Sequence, residues 1–113
     1  PNHETRLEII FFGNYFSDFF EGQTEKVKDK IDYVLFVLAH VNQIPEKFLK
    51  HLSGHKDLYE IRVSYGGSIF RIFCFFDKGN LVVLLNGYQK KSAKTSKNEI
   101  DRANRLMIEY FNQ

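Results

Sequence analysis

Residues 58–88 read LYEIRVSYGGSIFRIFCFFDKGNLVVLLNGY, and this stretch decides the fold. Residues 58–65 alternate apolar and polar side chains, Gly66-Gly67 is a two-residue hairpin signal, and residues 68–77 are almost entirely apolar. Lys78-Gly79 marks a second turn, and residues 80–88 close the series. The pattern predicts three antiparallel strands in a meander. Its middle strand is apolar on both faces except at Arg71, so it is expected at the centre of a sheet covered on both sides.

Outward from the meander the period changes. Residues 6–12 (RLEIIFF) form a short apolar run that stops at Gly13-Asn14, the pattern of a buried strand, and residues 14–21 suit one or two helical turns. From Thr24, a suitable N-cap, Val27, Ile31, Val34, Leu35, Leu38 and Val41 recur at helical spacing. Pro45 then suits a first helical turn, Phe48, Leu49 and Leu52 form an apolar stripe, and Gly54 can end a helix, which predicts a second, shorter helix. Residues 89–95 (QKKSAKT) are a basic loop. Ser96-x-x-Glu99 matches a capping box, and Ile100, Ala103, Met107, Tyr110 and Phe111 give a last amphipathic helix. The order β-α-α-β-β-β-α predicts an α+β fold. It comprises one antiparallel sheet, made of the N-terminal strand and the C-terminal meander, packed by the N-terminal helices and a C-terminal helix.

The 113 residues fit one domain, 1–113, and 43% hydrophobic against 27% charged residues is the balance of a globular protein. Twelve Phe and six Tyr supply the bulk of the core, and about 65% of the unfolded surface can be buried at this size. The single Cys74 excludes an intramolecular disulfide and a Cys-based zinc site, so a reducing cytoplasm fits best. It alternates onto the face of Ile72 and Phe70 and reads as inert core. No apolar run approaches the roughly 20 residues of a membrane span, and the first residues do not resemble a signal peptide. The chain begins at Pro1 without a Met, which leaves room for residues ahead of it. The net charge of +2 is unevenly spread: residues 1–57 carry seven Lys/Arg against nine Asp/Glu, and residues 58–113 carry nine against five. A basic C-terminal half offers a surface to phosphates or to an acidic partner, or is simply a solvated lysine face.

The first hairpin can be read to the residue. A two-residue turn at Gly66-Gly67 sets Tyr65 across from Ser68 and therefore Arg62 across from Arg71. Two like charges facing each other cost up to about 1 kcal/mol. Either Glu60, one pleat away on the same face, neutralises them, or they form a preformed anion site, since guanidinium forks match phosphate oxygens. A two-residue second turn would put Asn86 opposite Arg71 and Tyr88 two residues along, with Phe73, Phe75, Val82 and Leu84 on the same face. A one-residue bulge would break that register. Lys90, Lys91 and Lys94 leave from the strand end at Tyr88, and His55 and Lys56 lie in the loop ahead of the Arg62 strand. His3, His40 and His51 have no metal-ligand spacing, and no phosphate-binding glycine loop, nucleophile elbow or zinc motif is present.

Four segments carry a resemblance: Leu58-Tyr59-Glu60-Ile61-Arg62; Ser68-Ile69-Phe70-Arg71-Ile72; Phe75-Phe76-Asp77-Lys78-Gly79-Asn80; and Gly87-Tyr88-Gln89-Lys90-Lys91-Ser92-Ala93-Lys94-Thr95. Together they resemble bacterial RelE/ParE-superfamily toxins, most closely the HigB-type branch that is also common in phages. The likeness spans nearly the whole chain and is most specific over residues 52–100. Ser96 stands where the family often has Pro. The resemblance implies a RelE-like fold and the toxin of a type II toxin–antitoxin system: an endoribonuclease (mRNA interferase) that enters the ribosomal A site, cuts mRNA and stops translation. It implies a cognate helix-turn-helix antitoxin of the HigA kind, which silences either by direct occlusion or, the preferred route for a compact partner, by bulk that blocks ribosome entry, and a higher-order toxin–antitoxin complex. Partners are then the ribosome and mRNA, with no membrane. Such chemistry needs a 2′-hydroxyl attack, an acid, a base and cations at the phosphorane, and no metal or other cofactor. By the same resemblance Arg62 and Arg71 hold the scissile phosphate, Tyr88, His55 or Lys56 move protons, and Lys90, Lys91 and Lys94 bind flanking RNA. The alternative is a ParE-like gyrase inhibitor, which acts through a helix or a terminal surface, or a non-catalytic antitoxin-binding module.

Overall fold

Strand β4 (Ser68–Asp77) is the middle of a five-stranded sheet whose other members are β1 (Glu8–Phe11), β2 (Leu49–His51), β3 (Tyr59–Tyr65) and β5 (Leu81–Gln89), in the order β1-β5-β4-β3-β2. Three helices, α1 (Tyr15–Glu21), α2 (Glu25–His40) and α3 (Lys97–Phe111), complete the chain. The computed structural model describes residues 6–113; residues 1–5, and with them His3, lie outside the described residues.

The period-two pattern of β4 puts Phe70, Ile72 and Cys74 on the face that α1 and α2 cover. Phe73 and Phe75 lie on the face that α3 covers, all buried. Burying either phenylalanine is worth about 1.5–3 kcal/mol, so the middle strand anchors both cores. α2 presents Val27, Ile31, Val34 and Leu38 to the first core, with Thr24 Oγ1 accepting from the Val27 N–H at 3.3 Å as N-cap. α3 presents Ala103 and Leu106 to the second, capped by Ser96 Oγ, which accepts from the Glu99 N–H at 3.3 Å. The Cys74 thiol is fully buried, and burial pushes its pKa up, which keeps it protonated and unreactive.

Gly66 and Gly67 take φ of +56° and +83°, the pair of left-handed residues that a type I′ turn needs. This turn fixes Arg62 opposite Arg71 and Tyr65 opposite Ser68, as the spacing predicts. The second hairpin differs. Its connection has three residues, Lys78 to Asn80, since Asp77 pairs with Leu81, and Lys78 itself takes φ of +31°. The register then shifts again between Ile72 and Cys74, where Leu85 and Asn86 together oppose Phe73. Arg71 therefore faces Tyr88 and not Asn86. Val83 and Leu85 share the face of Phe73 and Phe75, while Val82 and Leu84 lie on the other.

Two further expectations are corrected. The sheet is not wholly antiparallel: β1 pairs parallel to β5, with Ile9 across from Val82 and Ile10 across from Val83. The edge of β5 was the one left open by the meander, and Ile9 and Ile10 bury into opposite cores there. The short helix expected over residues 45–54 is a single turn, in which the Phe48 N–H donates to the Pro45 carbonyl at 2.9 Å, followed by β2. Strand β2 pairs antiparallel to β3, Leu49 with Ile61 and His51 with Tyr59. A one-turn helix is marginal by itself, and the ladder hydrogen bonds offered by the free edge of β3 outweigh its propensity.

Candidate functional site

Beyond the N-terminal end of α3 the sheet face carries Glu60, Arg62, Arg71 and Tyr88. One carboxylate sits between two guanidinium groups. Glu60 Oε2 lies 3.5 Å from Arg62 Nε and Glu60 Oε1 lies 3.4 Å from Arg71 Nε, while Thr95 Oγ1 donates to Glu60 Oε1 at 3.1 Å. The Glu60 and Arg71 side chains are 5% and 8% exposed, and Arg62 is 27% exposed. The neutralising carboxylate that the hairpin arithmetic weighs is thus present, and it leaves one positive charge in excess. Both arginine Nε atoms are buried and lack a hydrogen bond of good geometry, so their ties to Glu60 are chiefly charge–charge. Arg71 Nη1 donates to the Phe70 carbonyl at 3.1 Å. Burial lowers the Arg71 pKa, Glu60 raises it and Arg62 lowers it, and a guanidinium stays charged throughout. Arg71 is the cation under the surface, and Arg62 is the one a ligand reaches.

Tyr88 stands opposite Arg71 with its ring nearly parallel to Phe73, centroids 6.0 Å apart. Its hydroxyl accepts from the Ser96 N–H at 2.8 Å, which leaves the phenolic proton free to be donated. Burial raises its pKa, the Ser96 bond opposes this, and so the group is a neutral donor at physiological pH and not a base. Lys90 continues the strand. Burial first, then Arg71, lower its pKa, and its Nζ donates to the Ala93 carbonyl at 3.0 Å, bracing the basic loop. Ser92 Oγ donates to the Lys94 carbonyl at 3.1 Å in the same loop. Lys91 and Lys94 are exposed and, with Tyr88, Gln89, Ser96 and Glu99, line a hollow of about 430 Å³. Asn86, at the bulge, turns to α3: its Nδ2 donates to the Glu99 carbonyl at 3.2 Å and to Glu99 Oε1 at 2.9 Å. It anchors the helix beside the hollow.

His55 and Lys56 occupy the turn before β3, at the end of the sheet away from Lys90, and line neither this hollow nor the one at Arg62. The Lys56 carbonyl accepts from His51 Nε2 at 2.9 Å, and the His55 N–H donates to the Leu52 carbonyl at 3.2 Å, so the turn is tied to itself. Arg62 lines a second hollow, of about 240 Å³, with Lys30, Tyr33, Lys47, Phe48 and Ser64. Of the residues around Arg62, the sequence gives no site role to Lys30, Tyr33, Lys47, Ser64 or Thr95 and places Phe48 only in an apolar stripe. The i, i+3 pair Lys30 and Tyr33 on the outer face of α2 was the available signal, but only the fold brings it to Arg62. Among the described residues no group of three or more His, Cys, Asp or Glu is placed to hold a metal ion, and no helix is long and apolar enough to cross a membrane.

The family described as "Phage derived protein Gp49-like (DUF891)" matches residues 18–108. No curated protein matches the chain. Among solved structures, that of the archaeal RelE–RelB complex from Pyrococcus horikoshii OT3 matches with a TM-score of 0.54 at 16% identity, covering 78% of this chain and 99% of that one. At that identity the likeness is one of fold: an α+β, RelE-like sheet with its helices.

Proposed function

The chain belongs to the phage-derived Gp49-like family and has a RelE-like fold, and from that premise we propose that it is the toxin of a type II toxin–antitoxin pair, a ribosome-dependent mRNA endoribonuclease of the HigB kind. The observation that carries the reading is the end of the sheet face on which Arg62, Arg71 and Tyr88 line up across three strands, Arg62 at its surface and Arg71 beneath, beside the loop of Lys90, Lys91 and Lys94. Cleavage there is an in-line attack of a ribose 2′-hydroxyl on the adjacent phosphorus. A new O–P bond closes a 2′,3′-cyclic phosphate as the P–O5′ bond breaks, and a proton passes to the departing 5′-oxygen. Arg62 holds the non-bridging oxygens, and Arg71 beneath it adds a fixed charge that grows in value as the phosphorane charge develops. Tyr88, neutral and held by Ser96, donates toward the phosphate or the leaving oxygen. Lys91 and Lys94 hold flanking phosphates or ribosomal RNA. The proton of the attacking 2′-hydroxyl leaves to water beside that phosphate, since His55 and Lys56, at the end of the sheet away from Lys90, stand out of its reach.

The partner that silences such a toxin is an antitoxin, and the solved neighbour's pairing with RelB supports one. A helix-turn-helix partner of the HigA kind, neutralising by bulk that keeps the complex out of the ribosome, fits a site whose arginines are already charge-paired within the chain. The ribosome as target makes the cytoplasm the place of action. The reading is tested with purified ribosomes programmed with a short mRNA. The expected result is cleavage of the A-site codon only when ribosomes are present, falling about 100-fold or more in Arg62→Gln. Absence of cleavage, with DNA held in cleaved gyrase complexes, would replace this reading by the gyrase-inhibitor alternative.

A further inference from the structure

The hollow on the far side of Arg62 has no part in the chemistry above. Its walls come from α2, from the turn at Pro45 and from the edge of β3 beyond the end of β2. Tyr33 is 53% exposed although it is a large aromatic residue on a helix, and its ring meets that of Phe48 edge to face with centroids 6.0 Å apart. Lys30 Nζ lies 5.6 Å from the Tyr33 centroid, and Lys47 Nζ lies 5.1 Å from that of Phe48. The Arg62 N–H donates to the Phe48 carbonyl at 2.8 Å, so the aromatic wall is fixed by backbone to the strand that bears the site arginine. Lys30, Lys47, Arg62 and Ser64 give the lining three cations and a hydroxyl, and no carboxylate is among its residues.

Cations flanking an exposed aromatic ring are the pattern that binds a single-stranded nucleic acid, in which the base stacks and the phosphates are neutralised. The volume, about 240 Å³, is below that of a drug-sized ligand site and suits one nucleotide. Arg62 lines this hollow and stands across from Arg71, which stands across from Tyr88 in the lining of the larger hollow, so a strand laid over these three residues reaches from one hollow to the other. We propose that this hollow is a stacking subsite for one nucleotide of single-stranded RNA next to the bond being cut, with the base on Tyr33 and the adjoining phosphates on Lys30 and Lys47. The proposal rests on the reading of Arg62 as a phosphate ligand. It adds an anchor that makes RNA grip partly independent of the Lys90–Lys94 loop.

The test uses the folded chain and a short fluorescent single-stranded RNA with 2′-O-methyl groups, which cannot be cleaved. Binding is read by anisotropy across a salt series. Tyr33→Ala is expected to weaken binding roughly 5- to 150-fold, the span for one lost stacked base, and Tyr33→Phe to restore it. Lys30→Gln and Lys47→Gln are each expected to reduce the log–log salt slope by about 0.7, the value for one phosphate contact on a single strand. Both lysines are surface residues, so these variants keep the inference testable should Tyr33→Ala fold poorly. Parent-like binding in Tyr33→Ala with parent-like salt slopes in both lysine variants overturns the subsite. So does a loss confined to capture of the antitoxin, which would make the hollow a protein contact. Since the probe is not cut, failure of ribosomal cleavage leaves this result standing, and cleavage with unchanged binding in the variants sinks the subsite alone.

Discussion

Glu60 holds two guanidinium groups on one carboxylate, and that sharing decides how substitutions behave. Removing Arg71 leaves Glu60 with Arg62 at 3.5 Å and the Thr95 hydroxyl at 3.1 Å. Arg71→Gln is therefore expected to cost about 2 kcal/mol, below the roughly 3–5 kcal/mol of a buried charge left with no partner. Glu60→Gln leaves Arg62 and Arg71 facing each other across the strands without their counter-charge and is expected to cost about 3 kcal/mol. The double variant should lose at least about 1 kcal/mol less than the sum, because each change removes what the other strands. Urea unfolding of the three proteins measures this, and strict additivity would mean that the buried ion pairs contribute nothing. At the same scale Tyr88 and Tyr110 have pKa values above the ordinary value of 10, by burial in Tyr88 and chiefly by the hydrogen bond to Asp77 Oδ2 in Tyr110. Both are raised in the fold, so their contribution to stability is whole below pH 10 and disappears as pH rises through the folded values. Phenolate absorbance should show Tyr88 and Tyr110 ionising above pH 10, together with a melting temperature that falls above pH 10.

Among the elements, the bulge on β5 and the cap of α3 set the site. Gly87 follows the bulge on the α1 side of the sheet, where a Cβ would come within 2.7 Å of the Phe19 ring. Gly87→Ala must push that ring aside, and a loss of about 1–3 kcal/mol is expected in thermal unfolding. Ser96 has two duties, its Oγ capping Glu99 and its N–H donating to Tyr88. Ser96→Ala removes the first at about 1 kcal/mol, whereas Ser96→Pro removes both, so the difference between the two variants reports the Tyr88 bond. How far these elements were legible follows from where their signals lie. The Gly66-Gly67 turn is local and stereochemically narrow, so the facing of Arg62 and Arg71 could be read to the residue. The second hairpin has a turn of unexpected length and a bulge that no residue announces, so Asn86 was placed where Tyr88 stands. Strand β2 and the parallel pairing of β1 are settled by open sheet edges elsewhere in the chain, and Phe48-Leu49 and Ile9-Ile10 carry no mark of direction.

For the molecule as a whole, three layers leave one end of one sheet face to the basic loop, with Arg62 at the surface and Glu60 and Arg71 buried beneath it. The excess of positive charge in residues 58–113 foreshadowed it, since the excess falls on Arg62, Arg71 and the loop of Lys90, Lys91 and Lys94. The charge count concealed Lys30 and Lys47, which lie in the acidic half of the sequence yet meet Arg62 in space. A fold that gathers cations from both halves onto one end fits a ligand as long as a strand of RNA. The most direct test is to induce the protein briefly in bacterial cells without an antitoxin and map the 5′ ends of cellular mRNA. The expected outcome is new 5′-hydroxyl ends inside translated reading frames, at codon-spaced positions, absent when translation is blocked beforehand and absent with Arg62→Gln. Intact mRNA in growth-arrested cells whose DNA is trapped in cleaved gyrase complexes would contradict it.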